Sequence, residues 1–281
     1  MDSFREPRER GDVNAATITR QSKSNLALGF ISLGRERKRD ITVFYAFCRV
    51  IDDIADSAEL TLEEKQMRLA TWRRMLRTTA TGEPPLASDL RRLIEKYSLP
   101  VGMFEEIIAG VEMDLTIPRY RTFEELRVYC YRVASAVGLV SIEIFGYRNP
   151  RCKEYAIELG LALQLTNIIR DVGKDLQNGR IYLPQDEMAR HGVSERHIAE
   201  QRCDAAWRAL LRFQVERSRD LIVRGQPLAR SLPGRVGLEI RATIQGGLRI
   251  LEKIERADYD VFRRRPVLRA LDWPLLLFRA A

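Results

Sequence analysis

Apolar residues recur at spacings of three and four along most of the chain, and the strict alternation that marks half-buried strands is scarce. This pattern predicts helices over 14–33, 36–57, 62–79, 87–98, 101–115, 122–146, 151–177, 194–224, 235–258 and 261–279. Proline lacks an amide hydrogen and pushes the preceding residue out of helical backbone, so it separates such runs. Pro84-Pro85, Pro100, Pro118, Pro150, Pro184, Pro227 and Pro233 all fall between them. "TLEE" (Thr61, Glu64) and "TFEE" (Thr122, Glu125) each predict a capping box, with threonine as N-cap and glutamate three residues on. The stretch "QNGRIYLPQDE" (177–187) loses the period and reads as a loop. Residues 1–13 are charged, poor in apolar side chains and expected to be disordered. Nothing resembling a linker interrupts 14–281, which reads as one all-α domain.

Two of these helices carry charge where a core helix should not. In "FYAFCRVIDDIAD", Tyr45, Arg49, Asp52 and Asp56 lie at offsets of zero, four, seven and eleven, a single helix face, with Asp53 beside them. In "GLALQLTNIIRDVGKDLQNGRIYLP" (160–184), Gln164, Asn167, Asp171 and Asp175 lie at zero, three, seven and eleven. A lone DxxxD on an exposed helix is ordinarily a solvated pair. Here the flanking residues are too apolar for that, and like charges at i,i+4 repel unless a cation sits between them. Two such stripes predict a metal site facing a shared cavity. Carboxylate and amide oxygens without Cys or His select a hard divalent ion, Mg²⁺ above all. Mg²⁺ completes its octahedron with water and phosphate oxygens, so the expected ligand is a diphosphate. The ions would act as Lewis acids on the departing diphosphate, helped by Arg49, Arg170, Lys174 and Arg180. Ionising a carbon–diphosphate bond leaves an allylic cation that water would quench, so the remaining wall should be dry. "YCYRVASAVGLVSIEIFGY" (129–147) suits such a wall. Its small residues Ala134, Ser135, Ala136 and Gly138 make room either for a hydrocarbon chain or for a neighbouring helix.

Composition narrows the partners. The chain's 281 residues carry 47 basic against 39 acidic side chains, a net +8 that is spread out apart from runs such as "RRR" at 263–265. Spread charge disfavours nucleic acid and favours a phosphorylated ligand. Cys48, Cys130, Cys152 and Cys203 show no CxxC pairing and read as free thiols in a reducing compartment. His191 and His197 lie in a polar segment, are expected at the surface, and exclude a zinc site or a histidine triad. The N-terminus lacks the apolar core of a signal peptide, and no run of roughly eighteen apolar residues is evident, so no span is expected. A cytoplasmic location follows, with "LDWPLLLFRAA" at most touching the inner membrane face.

Together, "YAFCRVIDDIAD" and "LALQLTNIIRDVGKDLQNGRIYLP" resemble the squalene/phytoene synthases, the head-to-head prenyl transferases. "SKS" at Ser22 to Ser24, followed by an apolar helix, resembles the family's N-terminal pattern, and the likeness extends to residue 265. The resemblance implies an all-α isoprenoid synthase fold around a central cavity, taking two isoprenyl diphosphates and several Mg²⁺ ions. It would put Asp52, Asp56, Asn167, Asp171 and Asp175 on metal, with Gln164 and Asp53 near them. Ser22, Ser24, Arg49, Arg170, Lys174 and Arg180 would meet diphosphate oxygens. Tyr45, Arg49, Tyr129, Arg170 and Tyr182 would be catalytic, and Tyr259 with the arginines after it resembles a C-terminal contact to the site. "CYRVASAVGLVSIEIFGY" with "RIYLPQDEMARHGVSERHI" looks most like the bacterial presqualene diphosphate synthases of hopanoid biosynthesis. That implies condensation of two farnesyl diphosphates, with NADPH needed only if the reaction continues to squalene. Downstream isoprenoid enzymes are the expected protein partners. The alternative within the family is a phytoene synthase acting on two geranylgeranyl diphosphates. Outside it stand chain elongation, a class I cyclase and a non-catalytic assembly protein. "NIIRDVGKD" in place of a second DDxxD argues against elongation, and "GRIYLP" against a cyclase.

Overall fold

The computed structural model describes residues 34–234, 236–269 and 272. The helix expected over 14–33, the disorder expected over 1–13, and Ser22 and Ser24 lie outside the described residues. Among the described residues the chain is helical, apart from turns and a single parallel bridge between Arg119 and Ile181. Contacts divide the chain at Val101/Gly102 into two compact units.

In the first unit α1 (Arg35–Asp56) packs on α2 (Leu62–Met75) and α3 (Pro85–Lys96). Phe44, Phe47, Ile51 and Ile54 line its buried face, and Phe47 meets Trp72 edge-on with ring centroids 6.0 Å apart. The capping box at Thr61 is complete. Thr61 Oγ1 accepts from the Glu64 amide at 3.3 Å, and the Glu64 carboxylate accepts from the Thr61 amide at 2.7 Å. One turn on, Lys65 Nζ donates to the carbonyl of Ala55 at 2.8 Å and satisfies a group that the end of α1 would leave open. Pro85 opens α3 at a position where its missing amide hydrogen costs nothing.

The second unit is built around α7 (Cys152–Gln177), with α4 (Val101–Thr116), α5 (Phe123–Cys130), a π-helical turn (Tyr131–Ser135) and α6 (Ala136–Phe145) before it. After it come α8 (Gln185–Arg190), α9 (Glu195–Ala199), α10 (Ala205–Gly225), α11 (Leu228–Ser231) and α12 (Val236–Arg256). The α7 helix lies against α10, α6, the π turn and α12, which is why its apolar residues run nearly all round. Close approach is set by glycine. A Cβ on Gly160 would lie 2.6 Å from Ser135 Cα, and one on Gly225 would lie 2.8 Å from the Leu159 amide nitrogen. The Thr166 and Ser218 hydroxyls meet between α7 and α10 at 2.8 Å inside the core, with the Ala162 carbonyl within hydrogen-bond reach of both.

Several expectations are corrected here. The "TFEE" box is half formed: Thr122 accepts from the Glu125 amide, but the Glu125 carboxylate turns to Arg121, accepting from its amide at 2.7 Å. The helix expected over 194–224 is two helices, because Gln201 takes a left-handed φ of 52° and Asp204 starts α10 afresh by capping Trp207 at 3.0 Å. The helix expected from 261 is absent over 261–269. Asp258 and Tyr259 leave α12 with φ of 52° and 61°, and Pro266 follows. Helix α8 begins within the expected loop. The run 123–145 is long and apolar enough to cross a membrane by length and composition, which the sequence reading missed because Arg132 and Glu143 interrupt it; half of the window is buried inside the protein. Among the small residues of that run, Ser135 and Gly138 meet α7 directly, Gly138 with a Cβ position 3.4 Å from the Ala156 carbonyl. There the room serves helix packing rather than a hydrocarbon chain.

Candidate active site

In the first unit, α1 presents Asp52, Asp53 and Asp56 at its exposed C-terminal end, over the buried Ile51 and Ile54. Tyr45 is half-buried one turn before Arg49. The Arg49 guanidinium, expected on a diphosphate, is paired with Asp53 at 2.5 Å in an i,i+4 contact. Such an exposed pair is worth only ~0.3–0.5 kcal/mol, so an incoming diphosphate can displace it.

In the second unit, Gln164, Asn167, Asp171 and Asp175 are half-buried along one face of α7, between the buried Leu165, Ile168, Ile169 and Val172. Both oxygens of Asp171 are gripped twice. Arg170 donates from Nε and Nη2 at 2.8 and 2.6 Å, and Arg265 from Nε and Nη2 at 2.6 and 2.9 Å. Burial alone would raise the Asp171 carboxyl, but the two guanidiniums overcome it and hold it at about 2. Asp175 goes the other way. Burial and then the Asp171 charge push it up to about 7, against the pull of Lys174 and Arg180. Arg170, expected on a diphosphate, therefore serves Asp171, and Arg265 joins it from beyond α12. Lys174 is exposed, and Arg180 is half-buried at the end of the α7 loop. Tyr259 is buried at the turn after α12, where its carbonyl accepts from Trp207 Nε1 at 3.0 Å.

The crowded carboxylates fit a divalent cation. Asp175 is a half-buried oxygen donor that resists ionising until positive charge arrives, and Asn167 and Gln164 add neutral oxygens on the same face. Among the described residues no three His, Cys, Asp or Glu side chains gather into a metal-binding group. The folded Asp175 carboxyl sits above its ordinary 3.8, so folding favours its protonated form. That contribution is complete below about 3.8 and is lost as pH rises through about 7. Without metal, Asp175→Asn is therefore expected to gain thermal stability over the wild type as pH rises from about 4.5 to 7.5, by about 5 °C at the upper end. Parallel melting profiles for the two proteins would remove the crowding argument.

Beside this face stands a group of aromatic rings. The loop after α7 runs back along 118–121, with the Ile181 amide donating to Pro118 at 3.0 Å and the Gln185 amide to Tyr120 at 2.9 Å. This pairing stacks Tyr182 on Tyr120, with centroids 5.9 Å apart and planes 19° apart, and on Tyr129 of α5 at 5.1 Å and 26°. Asp114 of α4 takes both expected phenols: Tyr129 Oη donates to Oδ2 at 3.1 Å and Tyr182 Oη to Oδ1 at 2.6 Å. Burial first, and then the Asp114 charge, push all three phenols upward. The sequence reading placed Tyr129 and Tyr182 but missed Asp114, Tyr120 and, individually, Arg265. Asp114 is one acid among several on α4 and joins the tyrosines only through the 118–121 pairing, so no spacing rule marks it.

A sequence profile described as squalene/phytoene synthase matches residues 19–272. A 15-cis-phytoene synthase of Synechococcus elongatus is 34% identical, over 94% of this chain and 91% of its own. A phytoene synthase of Arthrospira platensis is 35% identical, over 88% and 85%. The crystal structure of a squalene synthase from Alicyclobacillus acidocaldarius superposes with a TM-score of 0.80 at 27% identity, covering 87% of this chain and 93% of that one.

Proposed function

Because the chain belongs to the squalene/phytoene synthase family, and so is a head-to-head prenyltransferase with an isoprenoid synthase fold, we propose that it condenses two geranylgeranyl diphosphates to phytoene. The observation that carries the longer substrate is the 34% identity to a phytoene synthase along nearly the full length of both chains. It outweighs the presqualene reading drawn from the 130–147 and 180–198 segments. That reading, two farnesyl diphosphates giving presqualene diphosphate, keeps the support of the Alicyclobacillus squalene synthase.

In either case one allylic diphosphate ionises and the cation alkylates the double bond of the second molecule. Loss of a proton then closes a cyclopropane. A second ionisation, rearrangement and proton loss give phytoene without a reductant, whereas squalene needs hydride from NADPH.

In the second unit Asn167, Asp171 and Asp175 are the proposed Mg²⁺ ligands, with Gln164 beside them; in the first, Asp52 and Asp56, with Asp53 close by. Bound Mg²⁺ would neutralise the charge that develops on a departing diphosphate. Arg180 and Lys174 are the proposed diphosphate contacts of the second unit. The nearby Asp114 charge opposes the cost of burying the Arg180 guanidinium. Arg49, freed from Asp53, is that of the first.

The test is incubation with Mg²⁺ and either farnesyl or geranylgeranyl diphosphate, with and without NADPH, followed by identification of the extracted products. Phytoene from the longer substrate is expected. A cyclopropyl C30 diphosphate, or squalene appearing only with NADPH, would move the protein to the shorter substrate. Consumption of neither would overturn the reading.

A further inference from the structure

We propose that Asp114 is a positioning residue that turns the hydroxyl protons of Tyr129 and Tyr182 toward itself, so that both phenol oxygens serve the reaction only as acceptors. The inference rests on the condensation proposed above and names a residue through which its tyrosines act.

A phenol can donate one hydrogen bond and can also accept, and its hydroxyl rotor chooses the direction. An ionised carboxylate only accepts. Asp114 spreads its two oxygens over two phenols, Oδ2 on Tyr129 and Oδ1 on Tyr182, so each hydroxyl spends its proton on the carboxylate. What remains on each phenol oxygen is lone-pair density, which on Tyr182 also faces the Arg180 guanidinium. The rings cannot swing to change this. Tyr129 and Tyr182 are 4% and 7% exposed, they stack on one another, and Tyr120 closes the group at 5.6 Å from Tyr129 and 5.9 Å from Tyr182. Three separate pieces of chain converge here: α4 brings Asp114, α5 brings Tyr129, and the loop paired to 118–121 brings Tyr182. Among the described residues the buried Tyr120 hydroxyl has no hydrogen-bond partner, so the third ring supplies stacking but does not compete for Asp114.

The chemistry calls for this orientation. Head-to-head condensation passes through carbocations and ends each half in proton loss. An oxygen lone pair near such a centre stabilises positive charge or receives the departing proton. A hydroxyl proton turned toward the same centre repels it. An ionised acid shared between two phenols fixes both rotors with one side chain.

Asp114→Asn keeps the size and separates the alternatives. The amide oxygen can still accept from one phenol, but the amide nitrogen must donate to the other, forcing that hydroxyl to turn its proton outward. The expected result is a kcat lowered roughly 100-fold with substrate KM changed less than about threefold. The double variants with Tyr129→Phe and Tyr182→Phe should be no slower than the slower single variant of each pair. Asp114→Glu, which keeps the charge, should recover part of the rate. A kcat within about twofold of wild type, strictly multiplicative double variants, or a raised KM at unchanged kcat would each overturn the assignment while leaving the condensation reading in place. Failure of the wild type itself to turn over would count against that reading alone. In that event alkaline titration of phenol absorbance still decides the matter. Asp114→Asn should bring tyrosine ionisation to lower pH, and an unchanged titration curve would show that the carboxylate does not hold the hydroxyls.

Discussion

Asp171→Ala is expected to lower kcat by on the order of 10²–10³-fold or more on whichever diphosphate the wild type prefers, while the protein still folds. The side chain does two things at once. It is a proposed ligand on the α7 face, and it holds Arg170 and Arg265 by four charge-assisted hydrogen bonds. Its removal would leave Asn167 and Asp175 with too little negative charge to retain a divalent ion, and would release two guanidiniums into the same space. Stability should change far less. Arg265 is about half exposed, so solvent screens much of its attraction, and the folding contribution of the carboxylate comes to only ~1 kcal/mol. Steady-state kinetics and a melting curve on the same preparation separate the two effects. Activity within about tenfold of wild type would remove Asp171 from the reaction, and a collapse of the melting transition would make its role structural. Because the folded carboxyl sits at about 2, below its ordinary 3.8, its stabilising effect is present above about 3.8 and fades as pH falls toward 2. The comparison is therefore best made near neutral pH.

Glu187→Ala should be the most damaging single change to stability, about 3–5 kcal/mol and roughly 10 °C or more in Tm. Glu187 is 3% exposed, and Gln214, 1% exposed, donates to it at 2.6 Å. Arg217 grips both of its oxygens, with Nη1 at 3.0 Å. The same guanidinium lies over the Phe123 ring at 3.8 Å and the Phe213 ring at 4.6 Å. One carboxylate thus ties α8 to α10, and through Arg217 to the first residue of α5, six positions before Tyr129. Truncation would leave a guanidinium and an amide facing an apolar interior without partners, which costs more than the pair was ever worth. Glu187→Gln, which retains an acceptor and the volume, should lose clearly less. A melting temperature for Glu187→Ala within about 2 °C of wild type would show that water reaches and satisfies Arg217.

The second of these side chains was invisible in the sequence, and the first was plain. Asp171 announced itself because a helix converts sequence spacing directly into a shared face: Gln164, Asn167, Asp171 and Asp175 align whatever α7 packs against. The same rule found the stripe on α1 and the complete capping box at Thr61, whose partners lie three residues apart. It over-reached where local pattern competed with a turn. Gln201 and Asp258–Tyr259 adopt left-handed backbone that no periodicity encodes, and the expected helices 194–224 and 261–279 broke or failed there. It also left Ser135 and Gly138 undecided, since a small side chain permits a cavity and a close helix equally.

By itself, then, the sequence determined most of the described helices, the two acidic stripes and the family. All of these rest on contacts within about four turns of one helix or on a motif read in line. Only the tertiary structure decided what each charge does in the folded chain. It gave Asp171 to Arg170 and Arg265, gave Arg49 to Asp53, raised Asp175 by burying it beside Asp171, and brought Asp114 under two phenols from distant segments. The physical reason is the same throughout. Helical spacing is a property of neighbours along the chain, whereas ionisation and hydrogen-bond direction depend on burial and on partners up to 94 residues away.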